Sequence, residues 1–252
     1  MPVNGDAVRI PATSTQPIIS GLNQSAVTLA SVIVEEGAPA IGVDASGSYL
    51  QIGVSGAVRI AGGGLTLLDF GASTVDIQTE HNSLTPAPGY ASLYLKGTGI
   101  GNLSINGGNV ALAWRMGEVS TATNIRVCGP SCRLWSGSGV TNTTVNMLNG
   151  TAVVRHAIST LYQSGGLLTT QGSGTVGTAY VYGGIWYSNS TGVVSTTNIY
   201  GGTLDTLTCG LARTMSAINI YGGVVKIDKT YITGTIDTVG AVVLTGTTPT
   251  TV

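Results

Sequence analysis

Residues 198–218 read NIYGGTLDTLTCGLARTMSAI and residues 219–230 read NIYGGVVKIDKT, so the phrase Asn-Ile-Tyr-Gly-Gly returns after 21 residues. Weaker spellings lie upstream: YVYGGIWYS at 180–188, LYQSGGLLT at 161–169, VNMLNGTAV at 145–153 and LSINGGNVAL at 103–112. The second glycine falls at Gly108, Gly150, Gly166, Gly184, Gly202 and Gly223, and Gly129 of IRVCGPSCRLW fills the gap between the first two. The steps are then 21, 21, 16, 18, 18 and 21 residues. A self-similar period of this size signals a solenoid, a propeller or an array.

Each phrase is a short alternating run, a glycine turn and a second run rich in Val, Ile, Leu and Thr, which is strand patterning. The fixed Leu and Asn positions of a leucine-rich repeat are missing, and a propeller blade needs about twice the residues. Three short strands and three turns per repeat predict one coil of a right-handed parallel β-helix, each strand pairing with its counterpart one coil on. The 38 glycines supply tight corners, and a single Phe70 suits a narrow aliphatic core. The pattern predicts an all-β, single elongated domain: a cap or docking arm over 1–26, the β-helix over 27–245 and a tail over 246–252. At ~4.8 Å per coil, ~9–11 coils make a rod of ~45–55 Å.

The charge balance narrows the partners. A net charge of −1 and 8% charged residues argue against nucleic acid and against charge-driven membrane binding, and no apolar run spans a bilayer. Between Leu134 and Leu204 the only formal charge is Arg155, so Thr, Ser and Asn take the outward positions. The opening MPVNGDAVRIPATSTQP has no basic stretch followed by an apolar one, which predicts a chain that folds where it is made. Cys128, Cys132 and Cys209 are expected to be free thiols, and CGPSC lacks the spacing of the common zinc pairs. EHNSLTPAPG at 80–89 reads as a protruding loop.

Catalytic motifs are sparse. GSGTVG at 172–177 spells a dinucleotide loop but runs straight into TAYVYGG rather than into a helix, so it reads as a coil corner. His81 is expected in the loop and His156 at a strand end; neither has a metal-ligand neighbour at helical or hairpin spacing. Asp205 superposes on Lys226 and predicts an external ion pair. Asp69, Asp76 and Glu80 are the acids most able to converge, and a hydrolytic site would be sought there, although Trp114, Trp135 and Trp186 sit in later coils. No catalytic residue, metal ligand or cofactor is assigned. Tyr182, Tyr200 and Tyr221 share one slot before Gly-Gly and should stack along one outer edge, either stiffening the rod or forming an interface. Pro11, Pro17, Ile18 and Ile19 make the opening irregular and are candidate docking residues.

This short, charge-poor, Thr/Gly-rich β-helix, opening GDAVRIPATSTQPIISGLNQSAVTLASVIVEEG, resembles β-helical structural proteins of tailed bacteriophage virions: capsid decoration or cement proteins and the shafts of spikes and fibres. The resemblance implies a non-enzymatic virion protein, a homotrimer docking on the major capsid protein or another virion protein, assembled in the host cytoplasm. It carries over no functional residues. The alternative is a carbohydrate-binding or carbohydrate-degrading β-helix. An ice-binding solenoid is set aside because regular Thr-x-Thr ranks are not legible.

Overall fold

The computed structural model describes residues 2–18, 23–42, 48–62, 64–80, 91–227, 232–238 and 243–245. They form a parallel β-solenoid without helix. Successive coils contribute one strand to each of two ladders, called here sheet A and sheet B. Sheet A runs from Ala7–Ile10 through Ser31–Val34 and onward to Ile232–Thr238; sheet B runs from Asn23–Leu29 through Leu50–Val54 to Val243–Thr245. Every pairing between named strands is parallel and joins residues one coil apart. Each coil thus has two strands rather than three. In coils such as Val140–Met147 the sheet A strand bends, with Asn142 and Thr144 paired to the next coil but not the residue between them.

The ladder reaches further toward the N-terminus than the repeated phrases do. Ala7–Ile10 pairs in register with Ser31–Val34, so residues 7–10 are already a rung. A slot that Val, Ile and Leu fill in later coils is filled here by Val8 and Ile10.

Interior columns follow the pleat. Along sheet A, Leu103, Ile125, Val145, Leu161, Ala179, Thr197 and Ile218 stack one above another and are fully buried, the threonine being the one polar member. Along sheet B the column runs Val110, Leu134, Ala152, Leu168, Trp186, Leu204 and Val225. Trp186 fits because its indole N–H reaches the Thr170 hydroxyl at 3.2 Å.

Glycine holds the corner after sheet A. Gly150, Gly166, Gly184, Gly202 and Gly223 all have φ between 69° and 87°, and a Cβ on Gly184 would lie 2.5 Å from the Gly166 carbonyl oxygen. Positive φ and a backbone stacked at contact distance both exclude a side chain. Gly129 is not part of this series. Arg133 pairs with Asn109 and with Thr151, which puts Cys132 in the corner between Gly108 and Gly150. The CGPSC segment forms an extra turn: Gly129 N–H meets the Cys132 sulfur at 3.2 Å, and Cys132 N–H donates to the Gly129 oxygen. The buried Cys132 thiol in turn donates to the Ile105 carbonyl, and burial pushes its pKa up.

Coil length varies at the opposite corner. Gly174 and Gly192 close short turns, a Cβ on either being 2.3 Å from the carbonyl oxygen one coil below. One coil later, residues 207–212 bulge outward and Arg213 enters the interior. Arg213 is 4% exposed, and its guanidinium donates to Ser188 Oγ, the Leu211 carbonyl and the Cys209 sulfur.

Candidate functional site

The tyrosines stand where the repeat places them. Tyr182, Tyr200 and Tyr221 stack with centroids 5.1 and 4.9 Å apart and planes within 9°, and they are 51%, 45% and 45% exposed. The sequence reading missed a second stack in the adjoining column, Tyr162 on Tyr180 at 5.1 Å. That column continues as Asn198 and Asn219, joined by a 2.9 Å amide hydrogen bond. Beside it Thr144, Thr160, Thr178 and Thr196 align one per coil. One threonine rank exists, with Asn and Tyr where a second would stand. Partial desolvation and the neighbouring phenols raise the Tyr200 pKa. From Val140 to Tyr221 this outer wall of sheet A carries no charged side chain.

Sheet B has a different outer face. Its outward column runs Leu67, Tyr94, Ala111 and Trp135, side chains that cannot stack on like neighbours. Leu67, Tyr94 and Ala111 instead form a second apolar cluster against which Tyr49, Trp114 and Trp135 pack. The corner segment 113–119 folds over it. Ala113 begins that segment at φ 41°, a left-handed conformation uncommon for a residue with a Cβ. Arg115 lies 4.5 Å from the Tyr94 ring centroid and 5.6 Å from that of Tyr49, Lys96 lies 4.4 Å over Tyr49, and Arg155 lies 3.8 Å over Trp114. Glu118 Oε1 accepts the Tyr49 hydroxyl at 2.6 Å and Oε2 accepts the Arg115 N–H at 3.0 Å. Burial and then the Glu118 hydrogen bond hold the Tyr49 phenol far above its ordinary pKa.

A groove of about 490 Å³ opens beside this cluster, lined by Asp69, Gly71, Ala72, Lys96, Gly97, Thr98 and residues 116–119. It exists because Leu93–Gly107 passes from sheet B to sheet A as one continuous strand with no corner loop, whereas the coils on either side have loops at 70–74 and 113–119. The loopless coil is the floor and the two loops are the walls.

The acids do not gather as the spacing suggested. Asp69 is on sheet B, 3.4 Å from Lys96, and caps the Gly71 N–H; Asp76 and Glu80 lie on sheet A. Asp76 accepts the backbone and side-chain N–H of Asn102, and Glu80 pairs with Arg59 at 2.6 Å. The acid that shares a groove with Asp69 is Glu118, which the sequence reading left aside. The Asp205–Lys226 pair forms at 3.6 Å, but the Asp205 side chain is 2% exposed, so the pair is half-buried rather than external. Thr208 supplies two further hydrogen bonds to Asp205. His156 lies just past the end of the strand Thr151–Val154 and is buried there: its Nδ1 faces the Ala157 carbonyl, and burial depresses its pKa.

At the N-terminal end, Pro17 is exposed and Pro11 half-buried. Ile18 is drawn into the coil, bridging Ile41 and packing on the core; Ile19, His81 and most of the 80–89 loop lie outside the described residues. Cys128, Cys132 and Cys209 are free. Among the described residues no group of three or more His, Cys, Asp or Glu could hold a metal, and no helix is long and apolar enough to cross a membrane.

No protein-family model matches the chain, and neither does any curated protein or any solved structure. The fold and its surfaces are therefore the whole basis for a functional reading.

Proposed function

We propose that the chain is a non-enzymatic structural rod of a tailed-phage particle, a decoration or cement protein or a segment of a projecting fibre. Its copies pack side by side through the outer wall of sheet A. The observation that carries this reading is the wall itself: threonine, asparagine and stacked tyrosine in register, with no charge from Val140 to Tyr221. An isolated soluble rod keeps charge on such a face to resist sticking, whereas a rod that buries the face has no such need. Stacked rings are also already ordered, so little side-chain entropy is lost when a neighbour docks. A homotrimer uses three such walls. The exposed Pro17 and the Pro11 turn lie at the end that contacts the capsid protein or another virion protein.

Light scattering of the purified chain at micromolar concentration tests this, with Tyr200→Lys beside the wild type. The expected result is a trimer that the lysine converts to folded monomers. A monomeric wild type ends the assembly reading. Cleavage of a bacterial polysaccharide, lost on Asp69→Asn or Asp76→Asn, replaces it with an enzyme. Because residues 7–10 are a rung, attachment to particles is best probed by Pro17→Glu rather than by removing the first twenty residues.

A further inference from the structure

The two ends of the described solenoid present the same ladder that holds its coils together. Among the described residues, Ala7–Ile10, the first rung of sheet A, pairs on one side only, with Ser31–Val34. Ile232–Thr238, the last rung of that sheet, pairs on one side only, with Arg213–Ile220. The residues just before the first rung do not cross it. Thr28 N–H donates to Asn4 Oδ1, Gly5 N–H to the Thr28 carbonyl and Ala30 N–H to the Asp6 carbonyl, which holds residues 4–6 level with that rung. The interior is also only partly covered at both ends. Of the apolar side chains that pack on the main core yet stay partly exposed, Val8, Ile18 and Val27 belong to the first coil and Ile232 and Ile236 to the last. Repeat proteins close such ends with a polar cap, and an edge strand without one is a template for another chain.

We infer that a second copy of the chain docks here, its first rung adding to the last rung of the copy before it, so that rods join head to tail. Both rungs belong to one parallel ladder, so a copy translated along the axis arrives with the polarity that pairing needs. The register follows from the columns. Followed rung by rung, the interior column of sheet A begins at Val8 and ends at Ile236. Stacking sets Val8 over Ile236 and buries both. The outward column beside it begins at Arg9 and ends at Asp237 through the same pairings. Stacking brings these opposite charges one rung apart, ~4.8 Å. Glu35 already holds the Nε and one terminal nitrogen of Arg9. A guanidinium has further N–H donors, so some remain for Asp237. The two ends are different surfaces, and a contact of that kind does not close on itself, so copies add in a line. The first rung offers only 4 residues for pairing. One contact is therefore weak and forms at about 0.1–1 mM, above the micromolar range of the side-by-side test. It does not depend on lateral packing.

The test uses the full chain carrying Tyr200→Lys, so that the tyrosine wall takes no part. Sedimentation velocity from about 10 μM to about 1 mM spans the expected range, and electron microscopy of the concentrated sample reads the shape. The expected result is a sedimentation coefficient that keeps rising with concentration, from rods that lengthen at constant width. Arg9→Asp and Asp237→Arg, each added to this chain, put like charges over one another and should weaken association by about tenfold or more. Both together in one chain reverse the pair and should restore it. Arg9 and Asp237 are exposed, so all three variants should keep the fold, which circular dichroism checks. The inference is overturned if the parent stays monomeric to the highest concentration, or if association stops at a closed oligomer. It is equally overturned if the folded single variants associate as the parent does, or if the double exchange fails to recover what they lose. Head-to-tail growth beside a wild type that is monomeric at micromolar concentration supports this contact and removes the trimer, so the two readings fail separately.

Discussion

The two outer faces of the solenoid share a backbone and a rung spacing, yet they solve opposite problems. On sheet A, from Thr144 onward, most outward side chains meet a near copy of themselves one coil away: tyrosine on tyrosine, asparagine on asparagine, threonine beside threonine. On sheet B, between Leu67 and Trp135, successive rungs are unlike, and no column stacks. Segment 113–119 then covers the mismatch, pinned by cation–ring contacts and by Glu118. A regular face becomes a flat surface suited to another flat surface. An irregular face recruits a loop, and a loop beside a loopless coil leaves a groove.

The comparison can be broken hardest at the corner that keeps the tyrosines in line. Gly202 has φ 73°, and a Cβ there would sit 2.7 Å from backbone of the coil below. Gly202→Ala is expected to lose about 2–4 kcal/mol, combining left-handed strain with overpacking, as read by urea unfolding of the chain. A smaller loss than 1 kcal/mol means the corner yields and the ladder does not depend on it. Tyr200 stacks on both neighbours, so Tyr200→Ala should cost about 1–3 kcal/mol on the regular face, whereas Tyr162→Ala, with a single stack, should cost about half.

On the irregular face, Arg115→Ala removes contacts to two rings and is expected to cost about 1–2 kcal/mol. The sharper readout is local: limited proteolysis should cut near Met116 faster in the variant, while cleavage elsewhere stays as in the wild type. Uniform acceleration along the chain makes Arg115 a determinant of global stability instead of a loop clasp.

His156 separates the interior from both faces. Its folded pKa lies below 6.5 because burial disfavours the imidazolium. Between that depressed value and about 6.5 the unfolded chain binds the proton that the folded chain refuses, so stability is full above about pH 6.5 and declines as pH falls toward the folded value. Unfolding midpoints at pH 7.5 and 5.5 should differ in the wild type and differ less in His156→Gln. The smallest effect is a gain. Ala113→Gly should relieve the left-handed residue at the start of the loop by up to about 1 kcal/mol, without moving the tyrosine ladder.

The parallel solenoid and the Tyr182–Tyr200–Tyr221 stack were legible because both follow from a local repeat. Alternation assigns each side chain to a face, and a constant offset from a corner glycine makes equivalent residues neighbours in space. The same rule misled at Gly129, where a glycine in roughly the right place hid a turn that hands the corner to Cys132. It also misled at Asp69, Asp76 and Glu80, which are close in sequence but divided by a corner between two sheets. The groove was invisible for a related reason: it depends on the absence of a loop in one coil between loops in its two neighbours, and no residue spells that.

What the sequence determined by itself was the fold, the register over the later coils and the uncharged wall, since each is set by periodicity and composition within one or two repeats. Tertiary structure alone decided that Glu118 faces the groove with Asp69, that Arg115 lies against Tyr94 and Tyr49, that Asp205 is buried under its lysine, and that His156 is shut inside. These pairings join residues whose offsets differ from coil to coil, and only the stacked backbone fixes how loops of unequal length come to rest against one another.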